Sequence, residues 1–402
     1  MSYCIDLLLK YLTQRKMKQI YLLMVIVVLF SCNTTSENGV SNNCVAETID
    51  LNGQFCKDCE IDMSELIDSL HIVKLETTEE SIVGNINKIV ISTNGNYIIG
   101  DDVQGKGIII FDKDGNFIKR LSNGNGAGEL QYYVDFDFDY KMSSLLVGQG
   151  NYMMKFDENG NYLGNLCNAN GNETQTDFYY SEFKILDDGF VFKTLVNQNT
   201  ESDLAGKYII LTDNDCKVKL SAIDKFLKYN YNDSKFDWSG NCFSIPMSDT
   251  IYSCTDGQIN PKYVFAYSDY KECNLDFQDY KQFMKHMTSS EQYFFDGNYQ
   301  ETFNTLFLTL MSFRSYPVFF IVNKKTKQIK SGNYMSFNHK YMPSFSLPIA
   351  TTRNGYFVSL IDNSEENKKL ESSNLVTETE RSFVASHSED DNPLIVLLKF
   401  KQ

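Results

Sequence analysis

A phrase of this chain is written twice. Phe111-Asp112-Lys113-Asp114-Gly115-Asn116-Phe117-Ile118-Lys119-Arg120-Leu121 returns, slightly altered, as Phe156-Asp157-Glu158-Asn159-Gly160-Asn161-Tyr162-Leu163-Gly164-Asn165-Leu166, 45 residues further on. Each copy reads as strand, hairpin turn, strand. Gly and Asn tolerate the positive φ of a tight hairpin, and the aromatic after them opens a packed strand. Self-similarity at such a period marks stacked units of one architecture, and a four-stranded propeller blade takes about 40–50 residues.

The same punctuation recurs at Asn94-Gly95-Asn96-Tyr97, Asp188-Gly189-Phe190, Ser331-Gly332-Asn333-Tyr334 and Asn354-Gly355-Tyr356. Between these turns the strands group into six sets. The first is Ile86–Ser92, Tyr97–Asp101, Gly107–Asp112 and Phe117–Leu121, and the second is Val134–Tyr140, Leu145–Gly148, Tyr152–Asp157 and Tyr162–Leu166. The others run from Phe178 to Leu220, from Phe236 to Tyr267, from Thr302 to Lys330, and onward from near Phe345. Aromatics make up 14% of the chain and Pro occurs six times, which suits many short strands with Gly-based turns. The fold class expected is all-β: a six-bladed β-propeller of four-stranded antiparallel blades with short helical insertions. The apolar C-terminal run Asn392–Phe400 is expected to share a blade with His71–Leu75 and so close the ring. Two stretches break the strand pattern. Leu275–Tyr293 spaces Phe277, Tyr280, Phe283, Met284 and Met287 as a helix would, and Ser364–Asp391 reads as a charged surface loop with some helix.

The N-terminus carries an address. Met17-Lys18 precedes an apolar run from Ile20 to Phe30, too short for the roughly 20 residues of a membrane span and suited to a signal peptide. Leu29-Phe30-Ser31-Cys32 resembles a lipobox, with Cys32 as the lipidated residue, and Asn33–Asn43 follows as a polar stretch. The expected division is a signal peptide over residues 1–31 with the true start at Met17, a flexible tether over 32–60, and the propeller over 61–402. Removing residues 1–31 takes away four basic side chains and one acidic one, moving the formal charge from −15 to −18. So acidic a protein repels nucleic acid and anionic surfaces.

The chemistry-bearing residues form no familiar constellation. Cys56-Lys57-Asp58-Cys59 has redox spacing but no thioredoxin-like unit around it, so the pair reads as free or locally bridged. Cys44, Cys167, Cys216, Cys242, Cys254 and Cys273 read as small buried hydrophobes. Gly124, Gly126 and Gly128 precede a strand rather than a helix, which argues for a structural loop over a phosphate cradle. Asp112–Asn116 lacks the distant Glu of a calcium loop and reads as a turn. His71, His286, His339 and His387 show no ligand spacing. No metal or cofactor is implied. The candidate binding residues are Asp101, Asp102, Gly126, Gly128, Glu129 and Arg353, at expected strand ends where propeller loops meet ligands.

Several phrases together resemble the six-bladed β-propeller lipoproteins common in Bacteroidetes, similar in fold to NHL-type and TolB-type propellers. They are Ile67–Thr78, Phe111–Gly115, Gly124–Glu129, Ser248-Asp249-Thr250-Ile251-Tyr252 and Asn392-Pro393-Leu394. That family's glycine loop more often carries Arg and Pro, where Asn125 and Ala127 stand here. The resemblance implies a fold and an envelope location but no chemistry; the expected role is a lipid-anchored module, at the outer membrane, binding a glycan, a peptide or an envelope protein. The alternative is a glycan-acting hydrolase or lyase with its site in the central funnel.

Overall fold

The structure, a computed structural model, describes residues 45–402 apart from 57, 102–106, 122–123, 125, 127, 131, 168–169, 196–198, 200–203, 225–237, 246–247, 268–284, 286–287, 290–291, 337–346, 362–368, 373 and 402. The strands form a six-bladed propeller of four-stranded antiparallel sheets. Blade 1 spans Ile86–Ile91 to Phe117–Leu121, blade 2 Asp135–Asp139 to Tyr162–Asn165, and blade 3 Tyr180–Leu186 to Val218–Asp224. Blade 4 runs from Trp238–Ser239 to Gln258–Ala266 and blade 5 from Phe294–Glu301 to Ile329–Gly332. Blade 6 is composite: Ala350–Thr351, Phe357–Ile361 and Leu394–Phe400 are completed by Ile67–Val73 from the start of the fold. Leu397 stands opposite His71 in that antiparallel pair, so the ring closes as the sequence led us to expect.

The core is six separate layers, one between each pair of neighbouring blades. Side chains alternate across a strand, and a blade is covered on both faces, so its middle strands read as unbroken apolar runs. In Gly107–Phe111 every residue is buried. Ile108 and Ile110 face Phe136, Phe138 and Val147 of blade 2. Ile109 and Phe111 face Val358 and Ile395 of blade 6.

The written-twice turns are built alike. Asp112 Oδ1 accepts from the backbone N–H groups of Asp114 and Asn116, each at 2.9 Å, and its Oδ2 accepts from Asn116 Nδ2 at 2.8 Å. Asp157 repeats the pattern with Asn159 at 2.9 Å and with the Asn161 backbone and side chain, both at 2.8 Å. Gly115 takes φ 90° and Gly160 φ 77°, as the turns require. A Cβ on Gly115 would also stand 2.1 Å from the Lys74 carbonyl oxygen of blade 6's closing segment.

Two boundaries differ from the sequence reading. Glu47–Asp50 adds a parallel fifth strand beside Gln258–Ala266, and Glu60–Asp62 pairs with Tyr334–Ser336. Ile49 and Leu51 are buried there, so the folded unit begins before residue 61; two apolar positions in a polar stretch are too few to show a period. Blade 5 starts at Phe294 rather than Thr302, because its inner strand carries a bulge between Phe295 and Tyr299 that hides the alternation. Ser364–Asp391 contains the helix Glu378–Ser386, in keeping with its reading as a surface loop with some helix. The residues on which the Leu275–Tyr293 helix rests, Phe277, Tyr280, Phe283, Met284 and Met287, lie outside the described residues.

Candidate functional site: the central cavity

The innermost strands of all six blades line one central cavity of 860 Å³. Its walls carry six basic residues, Lys88, Lys184, Lys193, Lys262, Lys324 and Arg353, and five acidic ones, Asp135, Asp137, Glu182, Asp187 and Glu301. The chain as a whole holds 37 basic against 52 acidic residues, so the lining is locally richer in cations than the rest.

The acids of blade 2 come from an alternating strand, Asp135-Phe136-Asp137-Phe138-Asp139. Phe136 and Phe138 bury themselves against blade 1, which turns Asp135 and Asp137 the other way. Lys88 of blade 1 holds both oxygens of Asp135, at 2.9 and 3.0 Å, while Phe183 N donates to Oδ2 at 2.8 Å. Lys184 Nζ reaches Asp137 Oδ1 at 2.7 Å and Ile185 N donates to Oδ2 at 2.9 Å. Lys193 pairs with Glu182 at 2.8 Å within blade 3. Burial pushes the Asp135 carboxyl up, against the opposing pull of Lys88.

Between blades 4 and 5, Glu301 accepts from Lys262, from Lys324 at 3.1 Å and from the Tyr263 hydroxyl at 3.2 Å. Burial would raise this carboxyl, but the two lysines outweigh it and hold it below its ordinary value. Lys262 Nζ also lies 3.1 Å from Cys242 Sγ, and burial, with Glu301 adding, pushes that thiol up to about 11. The thiol is therefore neutral at neutral pH.

At one rim, Arg353 lies with its guanidinium carbon 4.5 Å from the centre of the Tyr140 ring. The Tyr140 hydroxyl donates to the Ile91 carbonyl at 2.7 Å, which fixes the ring. Phe303, at the neighbouring blade 5 turn, is 79% exposed. A Cβ on Gly355 would meet Thr302 Cβ at 4.0 Å, so the two turns stand side by side.

Of the residues marked out in the sequence, Arg353 lines the cavity. Asp101 is fully buried, pairs with Arg120 at 3.4 Å and accepts from Asn85 N at 3.2 Å, as a structural acid. Glu129 folds onto its own loop, where its Oε2 accepts from Gly126 N at 2.8 Å. Gly128 takes φ 83° and a Cβ there would stand 2.6 Å from Tyr162 Cβ. Cys32, Cys44, Asp102, Cys273, His286 and His339 lie outside the described residues. The lysines and acids of the cavity carried one usable clue, the Asp–Phe alternation of blade 2: acids on the second face of an otherwise buried strand need partners.

Cys56 and Cys59 form a disulfide. Cys216, Cys242 and Cys254 are buried free thiols, whereas Cys167 is exposed, contrary to its reading as a core residue, because it follows the outermost strand of blade 2. Among the described residues, no helix is long and apolar enough to cross a membrane, and no group of three or more His, Cys, Asp or Glu is placed to hold a metal ion.

A search of curated proteins found no match. Among solved structures, the chain is similar to a Bacteroides fragilis protein named for its expected export: TM-score 0.68, 18% identity, 88% of this chain and 100% of that one. It is less similar to the Pan2 WD40 domain of Neurospora crassa, at TM-score 0.37 and 10% identity over 69% of this chain and 71% of that one. A Bacteroides caccae protein of unknown function gives TM-score 0.32 and 11% identity over 66% and 97%. A family model described as "Domain of unknown function (DUF4934)" matches residues 46–399, and the chain belongs to that family.

Proposed function

We propose that this DUF4934 member is a lipid-anchored envelope propeller, of the NHL or TolB kind, that binds a ligand in its central cavity. The observation that supports this most is the lining itself. All six inner strands converge on 860 Å³ with polar side chains held in place by ion pairs, which is how a binding site is kept preorganised. The anchor is Cys32, reached through the apolar run Ile20–Phe30, and the outer membrane is its seat. Replacement Cys32→Ser should abolish labelling by radioactive palmitate; persistent labelling would remove the anchor from this reading.

The test of the binding role is a thermal-shift screen of the protein against glycans, peptides and divalent ions. A ligand that binds only the folded state raises the melting temperature. The expected hit loses its shift in Asp187→Asn and Thr351→Val, both on the cavity wall. A flat screen, or a shift indifferent to both changes, would count against the cavity and favour a protein-assembly role.

One observation favours a second reading, a glycan hydrolase or lyase. A buried carboxyl raised by its surroundings, as Asp135 is, has the character of a general acid. Product release from a polysaccharide by the purified protein, lost in Asp135→Asn, would establish it; no turnover across a broad panel would exclude it.

A further inference from the structure

Five of the six cations lining the cavity are committed to carboxylates: Lys88 to Asp135, Lys184 to Asp137, Lys193 to Glu182, and Lys262 and Lys324 to Glu301. Arg353 is different. It is exposed, and its contact is with the face of Tyr140 rather than with an acid. A cation over a ring face spends none of its N–H donors on an acid, and guanidinium donors match a carboxylate or sulfate two at a time. Because Tyr140 is itself tied to Ile91, the arginine is held in advance of any ligand.

Its surroundings narrow the chemistry. Phe303, which follows Thr302 on the turn next to Gly355 and lines the same cavity, is exposed and offers a flat apolar surface, of the sort that the C–H face of a sugar ring packs on. The wall also carries hydroxyl and amide groups, among them Ser181, Asn241 and Thr351. The Ser181 hydroxyl is buried with no hydrogen-bond partner, a group for a ligand to satisfy. We infer that the Arg353–Phe303 rim is an anion subsite and that the ligand of the cavity is an anionic sugar, its charge carried by a carboxylate or a sulfate. This rests on the cavity being the binding site.

The experiment is calorimetric titration of the full-length protein in detergent with four probes. They are a galacturonic acid tetramer, a sulfated galactose tetramer, a neutral galactose tetramer and pentaglutamate. One or both charged sugars should bind at least about tenfold tighter than the neutral one, and which of them does so identifies the anion. Arg353→Gln should erase that preference, and Arg353→Lys should keep part of it. Phe303→Ala should weaken charged and neutral sugars alike. Both side chains are exposed, and an unchanged melting temperature checks that the variants fold. Equal binding of the neutral sugar, no response to Arg353→Gln, or binding of no sugar at all overturns the inference. Binding of pentaglutamate in place of sugars overturns it in favour of an acidic peptide. A ligand from the thermal-shift screen that depends on Asp187 and Thr351 but not on Arg353 would leave the cavity standing and remove the anion subsite.

Discussion

At the scale of single residues, the turn aspartates do more than punctuate. Asp112 and Asp157 each close a hairpin with hydrogen bonds to backbone and side chain, and a third copy follows at Asp213, which accepts from Asp215 N and Lys217 N at 2.9 Å. That copy was illegible in the sequence because Cys216, at φ 59°, stands where the others have Gly. Replacing Asp112 or Asp157 by Ala should each cost on the order of 1–2 kcal/mol, read from urea midpoints. Burial acts to raise both carboxyls, but the bonds from Asn116 and from Asn161 hold them below their ordinary value. A carboxyl depressed in the folded state binds its proton less readily than in the unfolded chain. Its contribution is full above the unfolded pKa of about 3.9 and is lost as pH falls through the folded value. The gap in stability between native protein and either Ala variant should therefore shrink below about pH 4. A gap that is flat with pH would argue that the carboxylate is not what holds the turn.

At the scale of elements, the helix Glu378–Ser386 guards the seam. Thr377 and Glu380 form a capping box, with Thr377 Oγ1 accepting from Glu380 N at 3.3 Å and Glu380 Oε2 accepting from Thr377 N at 2.7 Å. The other oxygen of Glu380 accepts from Ile72 N at 3.0 Å, on the outermost strand of blade 6. A strand at the edge of a sheet presents unpaired backbone groups to other chains, and this contact covers one of them. Thr377→Ala should cost about 1 kcal/mol, seen as a lower melting temperature, with Glu380→Ala costing more because it also strips Ile72. Equal losses would mean that the strand contact contributes nothing. The sequence showed a charged Ser/Thr-rich stretch with some helix here but not the helix's bounds, because its few apolar positions are outnumbered by polar ones.

At the scale of the molecule, the buried core is distributed over six interfaces, and one of them joins the two ends of the fold. Ile395 is fully buried between blade 6 and blade 1, against Ile99 and Phe111 among others. Ile395→Ala should cost about 2–5 kcal/mol in equilibrium unfolding, as for other large-to-small changes in a packed core. A loss below about 1 kcal/mol would mean the seam is not part of the cooperative unit. The repeat at 45 residues and the Gly-aromatic turns determined the blades, because each turn depends on neighbours in sequence, and an apolar strand at the chain end that needs a partner pointed to the closure. The tertiary structure decided the site. Lys88 and Asp135 are 47 positions apart, Lys262 and Glu301 39, and each reads as an ordinary strand residue until the ring closes. Arg353 meets Tyr140 across an even greater separation. A strand's own sequence says which residues share a face; only the packing of its two neighbouring blades says which of those residues are left to face the axis, and therefore each other.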